Sequence, residues 1–217
     1  VEDGPGGERV IDMPMDVLIG KPPRMLRDVQ RVAWRGEPLA LTGVSLAQAA
    51  FDVLRHPTVA SKRFLIAIGD RTVGGLSHRD PMVGPWQVPV AVCAVTLADF
   101  SGVAGEAMSM GERTPLAALD SPASGRRAVG EAPIALDRVK LSCNWMAACG
   151  EPGEDAALYD TVRAVALELC PALGISVPVG KDSLSMRTRW SEGGQTHQVT
   201  APVSLIVSAV ATLDDVR

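Results

Sequence analysis

No stretch of this sequence approaches the roughly 18–20 consecutive apolar residues that a membrane-crossing helix needs, so a spanning helix is excluded. An excess of one charge is also missing. Lys and Arg number 21 against 25 Asp and Glu, a net charge of −4, which removes any general electrostatic pull toward nucleic acid or an anionic membrane. Histidine is scarce, and His56, His78 and His197 are scattered with neither triad nor metal spacing. The four cysteines, Cys93, Cys143, Cys149 and Cys170, lack zinc-like and thioredoxin-like spacing. Cys93 and Cys170 sit among apolar residues and are expected to act as small core hydrophobes. Nothing demands an oxidising compartment, so a cytoplasmic location is the default expectation. There is no internal repeat, and the polar, glycine-rich start, residues 1–10, reads as a flexible segment and not a signal peptide.

What is present is a globular composition. Apolar residues make up 47% and charged residues 21% of 217 positions, enough for a buried core of one domain or slightly more. Ser45-Leu46-Ala47-Gln48 has capping-box form, and Leu46, Ala49, Ala50, Val53 and Leu54 follow at helical spacing until Pro57. Phe64–Gly69 reads as a short buried strand, and Val88–Thr96 as a second. Glu154 and Asp155 open a helix with the apolar stripe Leu158, Val162, Val165 and Leu169, ended by Pro171 and Gly174. Ile175–Val179 and Val203–Val210 read as strands, and Arg189–His197 as a hairpin turning at Glu192-Gly193-Gly194. Strands alternating with helices predict an α/β or α+β layer fold.

The most informative run is Val177 to Met186, a strand that empties into a Gly180-Lys181-Asp182-Ser183 loop. Glycine admits backbone N–H groups close to an anion, and lysine and serine add a charge and a hydroxyl. The same tetrapeptide also makes an ordinary solvated turn. It is not a Walker A loop, because the first glycine and its four-residue spacer are missing.

Longer words carry a resemblance. They are Gly69-Asp70-Arg71-Thr72-Val73, Met82 through Val90, Gly105-Glu106-Ala107-Met108 with Gly111-Glu112-Arg113, Asp137 through Met146, Gly153 through Asp160, and the Gly-Lys-Asp-Ser run. Together they resemble the large, single-chain phosphoribosylformylglycinamidine synthases of purine biosynthesis, over residues 11–217. That resemblance implies a PurM N-terminal-like domain, namely the N-terminal domain of the second half of a two-half synthetase core. It also implies a mixed sheet packed with helices, which pairs with a second sheet into a barrel-like interface.

The resemblance implies a nucleotide site at Lys62, Ala91, Gly180, Lys181, Asp182 and Ser183, with ATP or ADP as ligand. It implies Mg²⁺ at Glu131. Taken alone, Lys62 is a surface charge, Glu131 an exposed helix glutamate, and one carboxylate is not a magnesium site. Two departures bear on that metal. Val92 stands where the family has an aspartate, and Ala132 runs directly into Pro133, omitting a segment that carries a ligand asparagine. The site is therefore either degenerate or completed by residues this sequence does not contain. Trp145 is expected to be buried with its N–H satisfied, and Glu106 and Glu112-Arg113 to form structural ion pairs. His78-Arg79-Asp80 is placed in a loop before Met82.

Three functional readings follow. In the first, the chain is part of an ATP-dependent glutamine amidotransferase that converts formylglycinamide ribonucleotide to the amidine. It would then work with the rest of the synthase chain, since no glutaminase region is recognisable here. In the second, which the resemblance implies, it is a non-catalytic half that braces the active one, its own nucleotide site holding ADP and magnesium without turnover. The alternative to that is an isolated structural domain with a degenerate nucleotide site, which Val92 would fit. In the third it is another amide-phosphorylating member of the wider superfamily, of the aminoimidazole ribonucleotide synthetase, thiamine-monophosphate kinase or selenophosphate synthetase type. Loss of a natural partner half would favour self-pairing through an exposed sheet.

Overall fold

The computed structural model describes residues 2–9, 11–21, 26–33, 36–38, 40–69, 71, 73–80, 82–89, 93–131 and 137–217. Its centre is a six-stranded mixed sheet in the order β1-β4-β5-β10-β6-β7. These strands are β1 (Ser77–Arg79), β4 (Cys93–Leu97), β5 (Gly105–Glu112), β6 (Lys140–Met146), β7 (Ser176–Ser183) and β10 (Ser204–Leu213). Neighbours pair antiparallel except β6 with β7, which run parallel through a helical crossover. Two small ribbons lie outside the sheet: β2 (Met82–Val83) with β3 (Val88–Pro89), and β8 (Arg187–Glu192) with β9 (Gln195–Thr200).

Strand periodicity sorts side chains to two faces. Leu141, Cys143 and Trp145 of β6, with Leu205, Val207, Ala209 and Ala211 of β10, are buried on one face. They meet Ala128 and Val129 of helix α5 (Ser121–Gly130) and the helical segment that begins with α6 (Glu154–Val162). That segment continues as a π-helical stretch, Arg163–Leu169, and ends in α7 (Cys170–Leu173), capped by Gly174. The expected stripe is there. Val165 is fully buried, and Leu158, Val162 and Leu169 pack beside it. Burying a leucine or valine of this kind contributes about 1.5–3 kcal/mol.

The other face carries no helix of the described residues. Ala94, Met108, Met110, Ile206, Val210, Ser142, Asn144, Val179 and Lys181 share it by register. Met110 is 67% exposed and Val179 53%. An open sheet, and no closed barrel, is thus what the described residues form.

Several expectations change. Phe64–Gly69 is not a buried strand: Arg63–Ala67 is a short helix, α3, with Phe64 64% exposed. It pairs with no strand among the described residues, and the Leu65 and Ile66 N–H groups donate locally to the Lys62 carbonyl. The single strand expected over Val88–Thr96 is two strands, β3 and β4, that join different sheets. The Gly-Lys-Asp-Ser run is not a loop but the last half of β7, paired residue for residue with β6. His78 lies in β1 and not in a loop. The capped helix appears as α2 (Leu46–Arg55), where the Gln48 N–H donates to the Ser45 hydroxyl. The hairpin is β8–β9, and the closing strand is β10. Ala91, Val92 and the Ala132-Pro133 junction lie outside the described residues.

Helix α5 lies very close to the sheet because β5 turns only Gly105, Ala107, Ser109 and Gly111 toward it. A Cβ on Gly111 would fall 2.0 Å from the Ala128 carbonyl oxygen, which is backbone and cannot rotate away. Gly111→Ala is expected to lower unfolding free energy by at least about 2–3 kcal/mol in urea denaturation. Gly180→Ala, where the nearest atom would be 3.9 Å away, should change it by less than about 0.5 kcal/mol.

Candidate functional site

Two groups of residues answer to the expected site, and they lie apart. The first surrounds the end of β5. Arg113 follows that strand and forms an ion pair with Glu131, the C-cap of α5. The Glu112 carboxylate accepts the Thr114 hydroxyl at 3.0 Å. A cleft of about 530 Å³ opens here, lined by Thr58, Val59, Glu112, Arg113, Leu116 and Arg127. The Lys62 ammonium donates to the Pro57 and Ala60 carbonyls, which flank the Thr58-Val59 wall. Neither Lys62 nor Glu131 lines this cleft; each is bonded to a residue of its rim and is already engaged. Lys62 closes its own turn, and Glu131 holds a guanidinium.

The second group lies on β7, separated from β5 by β10 and β6, a span of about 14 Å at ordinary strand spacing. The Lys181 ammonium donates to the Ser183 hydroxyl at 3.1 Å. Asn144 sits opposite Lys181 in register, and its Oδ1 is buried without a hydrogen-bond partner among the described residues. Asn144, Lys181 and Ser183 make a polar corner on the open sheet face. Asp182 alternates to the other face, in register with Trp145. The structure therefore does not unite Gly180–Ser183 with Lys62 and Glu131.

Magnesium is a poor match for the donors present. Mg²⁺ wants a near-octahedral set of oxygens. Among the described residues no three His, Cys, Asp or Glu side chains come together in a way that could hold a metal. Glu131 is satisfied by Arg113, and position 92 is valine.

Cys143, Cys149 and Cys170 are unsuited to nucleophilic work. Burial pushes the Cys143 thiol up to about 12 and raises Cys170 and Cys149 as well, so the reactive thiolate is suppressed. His56 accepts the Thr58 N–H, and His197 stacks on Trp190 with centroids 5.2 Å apart. The Trp145 N–H, expected to be satisfied, is buried without a partner among the described residues.

Sequence reasoning missed Arg127 as a cleft residue and Glu151 as a hub. Arg127 and Glu131 are four apart on α5, a spacing that puts both at one helix end, and this was the available signal. Glu151 accepts from Arg187 at 2.5 Å, Gln198 at 3.2 Å and Arg189 at 3.4 Å, tying the β8–β9 hairpin to the loop before α6. Nothing local announces a contact across so many residues.

A family model described as FGAR-AT PurM_N-like domain matches residues 61–212. A solved structure of T. maritima PurL complexed with ADP aligns with 94% of this chain and 30% of its own, at 16% identity and a TM-score of 0.50. PurLQS from Thermotoga maritima aligns with 95% of this chain and 28% of its own, at 16% identity and a TM-score of 0.47. The chain spans less than a third of either relative. At this identity the first likeness supports the fold alone.

One buried carboxyl near these elements yields a pH prediction. Glu154 Oε2 has no partner among the described residues, and burial raises its pKa, partly offset by the Val203 N–H. A raised folded-state pKa means the contribution to stability is full below the unfolded value and is lost as pH rises through the folded one. Glu154→Gln, which cannot ionise, is expected to gain stability relative to wild type between pH 4 and pH 7 in thermal melts. A constant difference across that range would contradict the assignment.

Proposed function

This chain belongs to the FGAR-AT PurM_N-like domain family, and from that membership we propose that it is a non-catalytic, nucleotide-binding half of a phosphoribosylformylglycinamidine synthase core. The parent reaction would be ATP-dependent transfer of glutamine nitrogen to formylglycinamide ribonucleotide in purine biosynthesis. Such phosphoryl transfer is catalysed by positioning and by charge stabilisation. The cations this chain would offer for that purpose are Arg113 and Arg127, which line one cleft. Among the described residues no three His, Cys, Asp or Glu side chains come together to hold a metal, and Glu131 is paired with Arg113. A bracing role with weak, metal-independent ADP binding fits these residues better than turnover.

The observation that carries this reading is the Arg113–Glu131 pair beside the basic cleft. A carboxylate already neutralised by a guanidinium has little to offer Mg²⁺, yet the cleft retains Arg127 with no ion-pair partner among the described residues. ADP is expected to raise the melting temperature equally in EDTA and in Mg²⁺. Stabilisation would reach about 2.7 kcal/mol at a hundredfold excess over Kd. Arg127→Ala should weaken it. A shift that needs Mg²⁺ would overturn the metal-free reading, and no shift under either condition would leave a purely structural domain.

The open sheet face supports the partner half of the proposal. It presents Met108, Met110, Ile206, Val210 and Val179 with no helix over them, and such a face invites a second sheet. In the parent that sheet would be the other half of the core; in isolation it would be a second copy. Sedimentation velocity should show concentration-dependent dimers, and Met110→Lys should abolish them. A monomer at every concentration would count against this assignment of the face.

A further inference from the structure

Residues 26–33 form no regular secondary structure, and all eight are exposed, yet they are fastened to α6 at two points. Arg27 Nη1 donates to Asp155 Oδ1 at 2.8 Å. Arg31 donates twice to Asp160, Nε to Oδ2 at 2.7 Å and Nη2 to Oδ1 at 2.6 Å. The acids are recessed, with side chains 16% and 25% exposed, whereas the arginines protrude at 44% and 68%. That asymmetry marks α6 as the receptor and the segment as its ligand. Asp160 is held below the usual carboxylate range chiefly by Arg31, and Asp155 chiefly by the Gly150 N–H and then by Arg27.

A third contact is steric. Gly153 has φ +84°, and a Cβ there would stand 3.2 Å from the Cβ and Cγ2 of Val32. The loop before α6 therefore leaves room for the segment to lie close. Apolar adhesion is otherwise slight, since Leu26 is 95% and Val29 45% exposed. Under Arg27 and Val29 runs a cleft of about 400 Å³ whose floor includes Cys149, Leu158, Tyr159 and Leu184. Contact is made at anchors, with open space between them.

We propose that the acidic edge of α6 is a docking groove for an extended segment bearing two arginines four residues apart. Here it is occupied by the chain's own residues 26–33, which act as a strap over the cleft floored by Cys149. The strap is held by ion pairs, so salt and the loss of either arginine release it. Because the anchors lie at α6 and not at the basic cleft, the inference stands independently of nucleotide binding.

The test uses the full chain and its double variant Arg27→Ala/Arg31→Ala. Both arginines are exposed and outside the core, so the variant should fold. Pulse labelling with N-ethylmaleimide, read by peptide mass, gives the rate at Cys149 relative to Cys93, which lies on β4 away from the strap. The ratio is expected to rise about fivefold to tenfold in the variant, the range that two exposed ion pairs command. It should rise similarly for wild type in 1 M NaCl, where screening acts within about 3 Å. Thermolysin cleavage before Leu26 and Val29 should accelerate in parallel. Because Arg27 also lowers the Cys149 thiol pKa, the single variant Arg31→Ala, which keeps that cation, is labelled alongside; an unchanged ratio there together with unchanged cleavage would overturn the strap. A dimer whose Cys149 protection depends on these arginines would also overturn it as an intramolecular device, since the groove would then be filled by a second copy.

Discussion

The approach of α5 to β5 sets the position of nearly everything else. With glycine at 111, the Ala128 carbonyl comes within the space a side chain would need, so helix and strand meet backbone to backbone. Ser124 and Ala128 on the helix, and Ala107 and Ser109 on the strand, are small enough to continue that contact, and Gly125 leaves the same kind of room for Thr161 and Val165 of the neighbouring helical segment. The end of α5 is thereby pinned over the end of β5. Glu131 and Arg127 leave the helix where Arg113 leaves the strand, and their cleft follows from packing and not from any local motif.

Charge is distributed by a similar logic at the opposite side of the helical layer. Glu151 lies in the loop before α6, Asp155 in its first turn and Asp160 toward its other end, and four arginines reach them from segments remote in sequence: Arg27, Arg31, Arg187 and Arg189. Each pair is exposed enough that its contribution to stability is small. Their effect is positional. The core already holds β6, β10 and α6, and the ion pairs decide where the hairpin and residues 26–33 lie against it. A fold organised this way has a rigid centre and attachments that answer to ionic strength.

Where alternation and capping were strong, the sequence was read correctly. β10 shows the period of a half-buried strand, α2 its Ser45 cap, and α6 its apolar stripe, because these patterns come from one-sided burial within a single element. Reading failed where the outcome depends on a partner. Phe64–Ala67 is apolar enough for a strand but pairs with none among the described residues and coils locally into α3. Lys181-Asp182-Ser183 is polar enough for a loop, but β6 offers a parallel edge and draws it into β7. The separation of Lys62 and Glu131 from Lys181 and Ser183 was equally hidden, because strand order is set by long-range pairing. Family membership was legible from word matches, whereas the pairing of Glu131 with Arg113 was not.

That pairing makes a last physical point. A metal between carboxylates and phosphates is a mobile charge that can change ligands as a reaction proceeds. A guanidinium on Glu131 is tethered to the end of β5 and presents fixed N–H donors. It can neutralise an anion in the ground state and hold a phosphate in one place. It cannot supply an open coordination position or follow charge as it develops. Under the proposed reading, a domain that trades ligand oxygens for Val92 and an Arg113–Glu131 pair keeps the capacity to bind and brace while giving up differential stabilisation of a transition state. Binding of that kind adds stability without rate, which is what a bracing half needs.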